Sequence, residues 1–132
     1  MPTQSPALDT DTIHEAYLAG LAEGRLSLQV CVCGHRWLPP RASCAECLAS
    51  KWTWEPAQGS GRLKSWVVYH VAFHESFRER VPYNVAIVEL DEGPRLITNI
   101  LAESAALRAE AKVRFVPSRQ GEHTLARFEL VA

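Results

Sequence analysis

The sequence is short of several features, and each shortage excludes something. No run of apolar residues in its 132 positions approaches the roughly 20 needed to span a bilayer. Nor does a basic start lead into an apolar stretch of the kind that marks a secretory leader, so a cytoplasmic protein with no membrane association is expected. Charge of one sign is also missing. Fourteen Lys and Arg stand against fifteen Asp and Glu, a formal net charge of −1, which leaves no electrostatic footprint for a polyanion. A nucleic-acid partner is therefore disfavoured. Glycine is sparse, at seven residues, and forms no phosphate-cradling loop, dinucleotide fingerprint or nucleophile elbow. Ser60, between Gly59 and Gly61, is a turn residue and not a triad serine. Finally, no cysteine follows position 47, so no disulfide can staple the C-terminal two-thirds of the chain.

What is present is an ordinary globular composition, 47% hydrophobic and 22% charged. Residues 1–8 read as a loose tail. A helix is expected to follow, with Thr12 as its cap and Glu15 reaching back, and with Ile13, Tyr17 and Leu21 recurring every fourth residue beside Leu18. Gly24 is a natural stop. The apolar stripe of this helix suits either its own chain or a partner, and Tyr17, Leu18 and Leu21 are candidate partner contacts.

Leu26 to Val30 has a strand pattern, as has Lys51 to Glu55, which puts Trp52 and Trp54 on one face. Gln58 to Gly61 is read as a turn and Arg62 to Phe73 as a long, coiled strand containing Trp66 and Tyr69. A charged loop, His74 to Pro82, comes next. Tyr83 to Leu90 is apolar on both faces, Asp91 to Gly93 turns the chain, and Arg95 to Leu101 returns as its hairpin partner. Ala102 to Glu110 has helix-forming composition. Alternation at Val113 and Phe115, then at Ala126, Phe128 and Leu130, marks two last strands flanking a loop at Gln120 and Gly121. Five strands with a helix between the third and fourth is the order of an OB-fold. The fold class is thus mainly β: a tail and helix over residues 1–25, a cysteine ribbon over 26–57, and a five-stranded OB-fold barrel over 58–132.

Cys31, Cys33, Cys44 and Cys47 form the one constellation with recognisable chemistry. Zinc favours four thiolate or imidazole ligands at the corners of a tetrahedron, supplied by two tight turns. Cys44 and Cys47 have the usual two-residue spacing, whereas only Val32 separates Cys31 from Cys33. A loaded structural zinc site and an empty ribbon both remain open on this spacing, and two local disulfides would need an oxidising compartment. His35 is either a substitute ligand or a surface histidine. Four protein ligands would leave no open position for water, so hydrolytic zinc chemistry does not follow.

The residues Gln29 to Cys33, Gly34, Pro39, Pro40, Arg41 and Cys44 to Cys47 resemble the rubredoxin-like zinc ribbon of the acyl-CoA-associated zinc-ribbon and OB-fold family, formerly a domain of unknown function. The resemblance extends through Val81 to Tyr83, Val88 to Leu90, Glu92 to Arg95, and Thr98 and Asn99. It covers nearly all of the chain after residue 12. The chain departs from the family pattern at the single residue Val32, where two are usual. It departs again at Glu110, Ala111, Lys112 and Val113, where the family tends to have Gly-x-Pro-Val. The resemblance implies a non-catalytic accessory subunit in a hetero-oligomer with a thiolase-like enzyme. Of the settings it allows, an aldolase that cleaves steroid or other bulky acyl-CoA side chains by retro-aldol scission is preferred; an acyltransferase or thiolase is the alternative.

Under that reading Arg62, Lys64, Arg78, Arg80 and Arg95 are candidate contacts for the phosphates of CoA, since guanidinium forks match phosphate oxygens. Otherwise they form a solvated face. Tyr83 is a further candidate partner contact. Trp52, Trp54, Trp66 and Tyr69 would suit base stacking on an OB surface, but strand aromatics more often serve the core. His70, His74 and Glu75 have helical ligand spacing in a region read as strand and loop, which gives them no metal geometry. An independent zinc enzyme and a nucleic-acid-binding module are the competing functional classes.

Overall fold

The computed structural model describes residues 10–70 and 83–131. Helix α1 spans Thr10–Ala22, so Thr12 lies within its first turn and is not the cap that the Thr12–Glu15 spacing suggests. The helix stops where expected. Gly24 adopts φ +84°, its N–H donates to the Leu21 carbonyl at 2.9 Å, and the Arg25 N–H reaches back to the Gly20 carbonyl at 2.8 Å. That paired closure needs the left-handed conformation glycine tolerates.

Strand β1 (Ser27–Cys31) is the centre of a three-stranded antiparallel sheet, with β2 (Arg36–Trp37) on one side and β3 (Trp52–Pro56) on the other. Trp52 and Trp54, two residues apart on edge strand β3 and so on one face as expected, are in T-shaped contact at 5.3 Å. Arg36 and Glu55 bridge the sheet at 2.7 Å.

The second sheet comprises β4 (Ser60–Tyr69), β5 (Tyr83–Leu90), β6 (Arg95–Thr98), β7 (Lys112–Gln120) and β8 (His123–Leu130). Their order is β6-β5-β4-β7-β8, all antiparallel, and a parallel bridge between Ile100 and Phe128 joins the two ends. This is the five-stranded OB barrel that the strand order implied. A register break between Leu63 and Ser65 leaves Lys64 as an extra residue and bends β4 across both halves of the barrel.

Three further element bounds differ by more than one residue from the sequence reading. Ser60 and Gly61 are already in β4, because Gly61 pairs with both Leu90 and Val113 and the turn is made at Gly59, with φ +87°. The stretch Ala102 to Glu110 contains only a 3-10 turn, Ser104–Ala106, since Leu107 is drawn into the barrel core at 2% exposure. Strand β6 ends at Thr98, where the buried Asn84 side chain takes over both backbone groups of Ile100, at 2.7 and 2.9 Å. Residues 71–73 of the expected long strand and the loop His74 to Pro82 lie outside the described residues.

One continuous core holds helix, ribbon and barrel together. Leu21, Leu26, Leu28 and Leu38 from the first third of the chain pack with Leu63, Val88, Leu90, Val113 and Phe128 from the barrel. A small second cluster, Cys31, Trp37 and Cys44, lies within the ribbon.

Candidate functional site

The four cysteine sulfurs lie within 4.8 Å of one another. Cys31 Sγ is 3.3 Å from Cys47 Sγ, and Cys33 Sγ is 3.7 Å from Cys44 Sγ. Zinc–sulfur bonds of ~2.3 Å in a tetrahedron give sulfur–sulfur edges of ~3.8 Å, so the cluster has the dimensions of a tetrathiolate metal site. These separations are far above a disulfide bond of ~2.05 Å, and all four residues are free thiols.

The short spacer at Val32 is accommodated by a tight turn at the end of β1. Gly34 N–H donates to the Cys31 carbonyl at 2.8 Å, Cys31 N–H to the His35 carbonyl at 2.9 Å, and Val32 N–H to the Lys51 carbonyl at 3.1 Å. Gly34, at φ +95°, permits this closure. The second turn has the usual form: Leu48 N–H donates to the Cys44 carbonyl, and Glu46 N–H points at Cys44 Sγ at 3.3 Å. Leu48 has φ +64°, and its side chain is 79% exposed, as Val32 is to 75% at the tip of the other turn.

The thiols are electrostatically unequal. A backbone N–H from Cys33 favours the Cys31 thiolate, but burial and the neighbouring sulfurs push Cys31 up to about 12. Burial also opposes ionisation at Cys44, yet the backbone N–H groups of Cys47 and Glu46, with two neighbouring sulfurs, draw it down to about 7. Bound metal would replace the protons this cluster otherwise keeps. His35 stands outside the cluster, stacked on Trp37 at 5.8 Å.

Between ribbon, helix and barrel lies an apolar groove of about 640 Å³. Tyr17, Leu18 and Leu21 form its helical wall, Leu38, Pro39 and Pro40 its ribbon wall, and Ile87, Ile97 and Leu125 its barrel side. Ile87 and Ile97 are direct cross-strand partners on β5 and β6, and Ile97 is 75% exposed. Tyr17 is covered enough that burial pushes its hydroxyl up to about 12. Leu21 is fully engaged in the core. Tyr83 stacks on Tyr69 at 5.2 Å and does not line the groove.

The structure gathers three of the five candidate cations. Lys64 Nζ lies 2.6 Å from Glu110 and 3.6 Å from Glu89, Arg62 donates to the Glu110 carbonyl at 3.1 Å, and Arg95 is 3.7 Å from Glu89. The Glu110 carboxylate raises Lys64 and is itself lowered by it. Arg95 also lines the groove. Arg78, Arg80, His74 and Glu75 lie outside the described residues, and His70 is exposed just beyond β4.

Sequence reasoning missed the groove and the two buried amides that shape the chain around it. Gln29, fully buried, bonds both backbone groups of Arg41 and so fixes the Pro39–Pro40 wall. Asn84 does the same to Ile100 beside the barrel seam. The available signal was polarity at strand positions that alternation assigns to the interior. No helix among the described residues is long and apolar enough to cross a membrane.

A four-cysteine ribbon packed on a five-stranded OB barrel defines the class of this protein. The chain belongs to the DUF35 family. The C-terminal OB-fold domain of ChsH2 matches residues 54–116. A solved structure described as the Ltp2-ChsH2(DUF35) aldolase aligns with 90% of this chain and 94% of that chain, at 30% identity and a TM-score of 0.80. A probable enoyl-CoA hydratase alpha subunit of Thermomonospora curvata is 35% identical over 97 residues, 73% of this chain and 29% of that protein. A DUF35 domain-containing scaffold protein of Methanothermobacter thermautotrophicus is 39% identical over 70 residues, 52% of each. The chain thus spans between about a third and a half of these curated relatives. A DUF35 protein of unknown function from Sulfolobus solfataricus shares the fold at 17% identity and a TM-score of 0.65.

Proposed function

We propose that this chain is a non-catalytic accessory subunit in a hetero-oligomer with a thiolase-like aldolase that acts on acyl-CoA thioesters. The observation that carries the reading is the nearly end-to-end likeness to the DUF35 chain of an Ltp2-ChsH2 aldolase. In this reading the partner supplies the groups for retro-aldol carbon–carbon scission, with a steroid or other bulky acyl side chain as its substrate. The groove is the docking face, with Tyr17 and Leu18 on the helix and Ile97 on β6 as its contacts and Leu21 holding the helix in place. Tyr83, which stacks on Tyr69 outside the groove, is a further candidate contact.

The cysteine quartet holds a structural zinc ion, for which its dimensions are suited. Four sulfurs complete the tetrahedron, so zinc here supplies folding energy and no reactive position. Free thiols at such a site fit a reducing, cytoplasmic setting. Arg95, which lines the groove, is the leading candidate to contact a CoA phosphate. Arg62 and Lys64 would have to exchange Glu110 for it, and Arg78 and Arg80 complete the candidate set.

Affinity purification of the tagged chain from its native cells tests the assignment. An aldolase or other thiolase-like subunit at stoichiometric level, lost in Ile97→Asp, is the expected result. The hydratase relative motivates a second reading, in which the partner is an enoyl-CoA hydratase. The same purification would identify it. Turnover of acyl-CoA by the isolated chain would overturn both.

A further inference from the structure

We infer that the cysteine quartet is a reversible oxidation site, in which peroxide converts the four thiolates into two disulfides across the turns, Cys31–Cys47 and Cys33–Cys44, and expels the metal. Each of these close pairs joins a buried cysteine to an exposed one, and the two members come from different turns. Cys31 and Cys44 are buried, and Cys33 and Cys47 are exposed. An accessible thiolate is the one peroxide reaches, and a second thiol held beside it resolves the product. The separations of 3.3 and 3.7 Å place the resolving sulfur in contact with the sulfur that is oxidised.

The chemistry balances with hydrogen peroxide as the oxidant. The Cys33 or Cys47 thiolate attacks one peroxide oxygen, giving a sulfenic acid and hydroxide. The facing Cys44 or Cys31 sulfur then attacks that sulfenic sulfur, the S–S bond forms, and the hydroxyl group leaves as water. Done twice, four thiolates lose four electrons to two peroxides, which with four protons become four waters. Disulfide sulfurs are poor zinc ligands, so Cys31, Cys33, Cys44 and Cys47 would no longer hold a bound ion. All four cysteines of the chain lie in this cluster, so no other thiol in the chain can divert the exchange.

The consequence reaches the groove through the chain between the two turns. Leu38, Pro39 and Pro40 form one groove wall, and their position depends on Gln29, Arg41 and Trp37, the last packed directly with Cys31 and Cys44. Oxidation therefore shifts a docking wall; this regulatory step rests on the groove being the docking face, whereas the disulfide chemistry does not.

The experiment titrates the zinc-loaded chain with hydrogen peroxide, follows metal release with a chromogenic chelator, and maps disulfides by peptide mass spectrometry without reduction. Expected are one zinc released for about two peroxides, as the four-electron balance requires, the pairs Cys31–Cys47 and Cys33–Cys44, and recovery with a thiol reductant plus zinc. Cys33→Ser should leave Cys31–Cys47 as the sole disulfide. Pairing within a turn, sulfinic acids formed with zinc retained, or a chain that takes up no zinc would overturn the proposal. Capture of the co-purifying partner is then compared between reduced and oxidised chain. Equal capture would overturn the regulatory step, whereas failure to capture any partner in either state would sink the docking reading and leave the disulfide map to decide the chemistry.

Discussion

The side-chain amide of Gln29 bonds at both ends to the backbone of one residue, Arg41: its Nε2 donates to the Arg41 carbonyl at 2.7 Å, and its Oε1 accepts from the Arg41 N–H at 2.8 Å. A fully buried glutamine thereby acts as a missing strand for the loop that carries Pro39 and Pro40. The loop could not pair with β1 by itself, because neither proline has an N–H to donate.

Replacing this amide should be costly. Gln29→Ala deletes two hydrogen bonds and leaves the Arg41 backbone groups to find other partners, which together are worth about 2–3 kcal/mol. Gln29→Glu keeps the acceptor but turns a carboxylate oxygen toward the Arg41 carbonyl, and should be no less damaging. Urea unfolding of the zinc-loaded proteins checks this. A loss below about 0.5 kcal/mol in Gln29→Ala would mean that the loop is held otherwise.

Glu110 adopts φ +67°, in the left-handed region that favours glycine. Its N–H bonds to the Leu63 carbonyl at 2.7 Å, and Arg62 and Lys64 hold its carbonyl and carboxylate, so the loop takes the glycine shape despite the side chain. Left-handed backbone costs a residue with a Cβ about 1 kcal/mol. Glu110→Gly and Glu110→Ala both remove the carboxylate, so their difference isolates the backbone. The glycine variant should be more stable by about 1 kcal/mol, read from paired denaturation curves.

The barrel strands were the most legible part of the sequence, because alternation and turn chemistry agree there. Tyr83 to Leu90 has the bounds expected of it, with Asn84, Ala86, Val88 and Leu90 turned inward, and Asp91 to Gly93 closes the hairpin. The cysteine quartet was legible by residue type, but the Val32 spacing could not be resolved without seeing Gly34 and Lys51 close the turn. The groove was illegible for a physical reason. Its walls come from positions 14–21, 38–40, 87–99 and 125–126, which share no local period. Ala102 to Glu110 misled because intrinsic propensity favours a helix, while burial of Leu107 and the left-handed Glu110 leave room for one turn only.

Gly61 is constrained from the opposite direction to Glu110. A Cβ at this position would lie 2.5 Å from the Glu89 carbonyl oxygen and 3.1 Å from Val88, in the middle of the sheet where β4 meets both β5 and β7. The nearer atom is backbone and cannot rotate away. Gly61→Ala should therefore cost about 3 kcal/mol through overpacking, with loss of soluble expression an acceptable outcome of the same prediction. Gly93→Ala, whose added Cβ would touch nothing, separates steric crowding from the backbone cost at φ +117°. Thermal denaturation of the pair should put Gly61→Ala well below Gly93→Ala.

Metal removal should separate the two clusters of the interior. Cys31, Trp37 and Cys44 have few apolar neighbours beyond Ala49 and Trp52, so a metal bound by the quartet would supply much of their cohesion. The larger cluster runs through Leu28, Leu63, Val88 and Phe128 and contains no ligand. A strong chelator should shift Trp37 and Trp52 fluorescence to the red while the far-ultraviolet β-sheet signal is largely kept. Acid should act in the same direction. Each sulfur must be a thiolate to bind, and Cys31, pushed up to about 12, would have to release its proton to solvent as metal binds. Cys44 is depressed, so its thiolate favours the fold above the ordinary thiol range, and that contribution is lost as pH falls through about 7. Zinc retention measured against a competing chelator should accordingly weaken as pH falls from 8 to 6, and a flat profile across about that interval would exclude thiolate ligation.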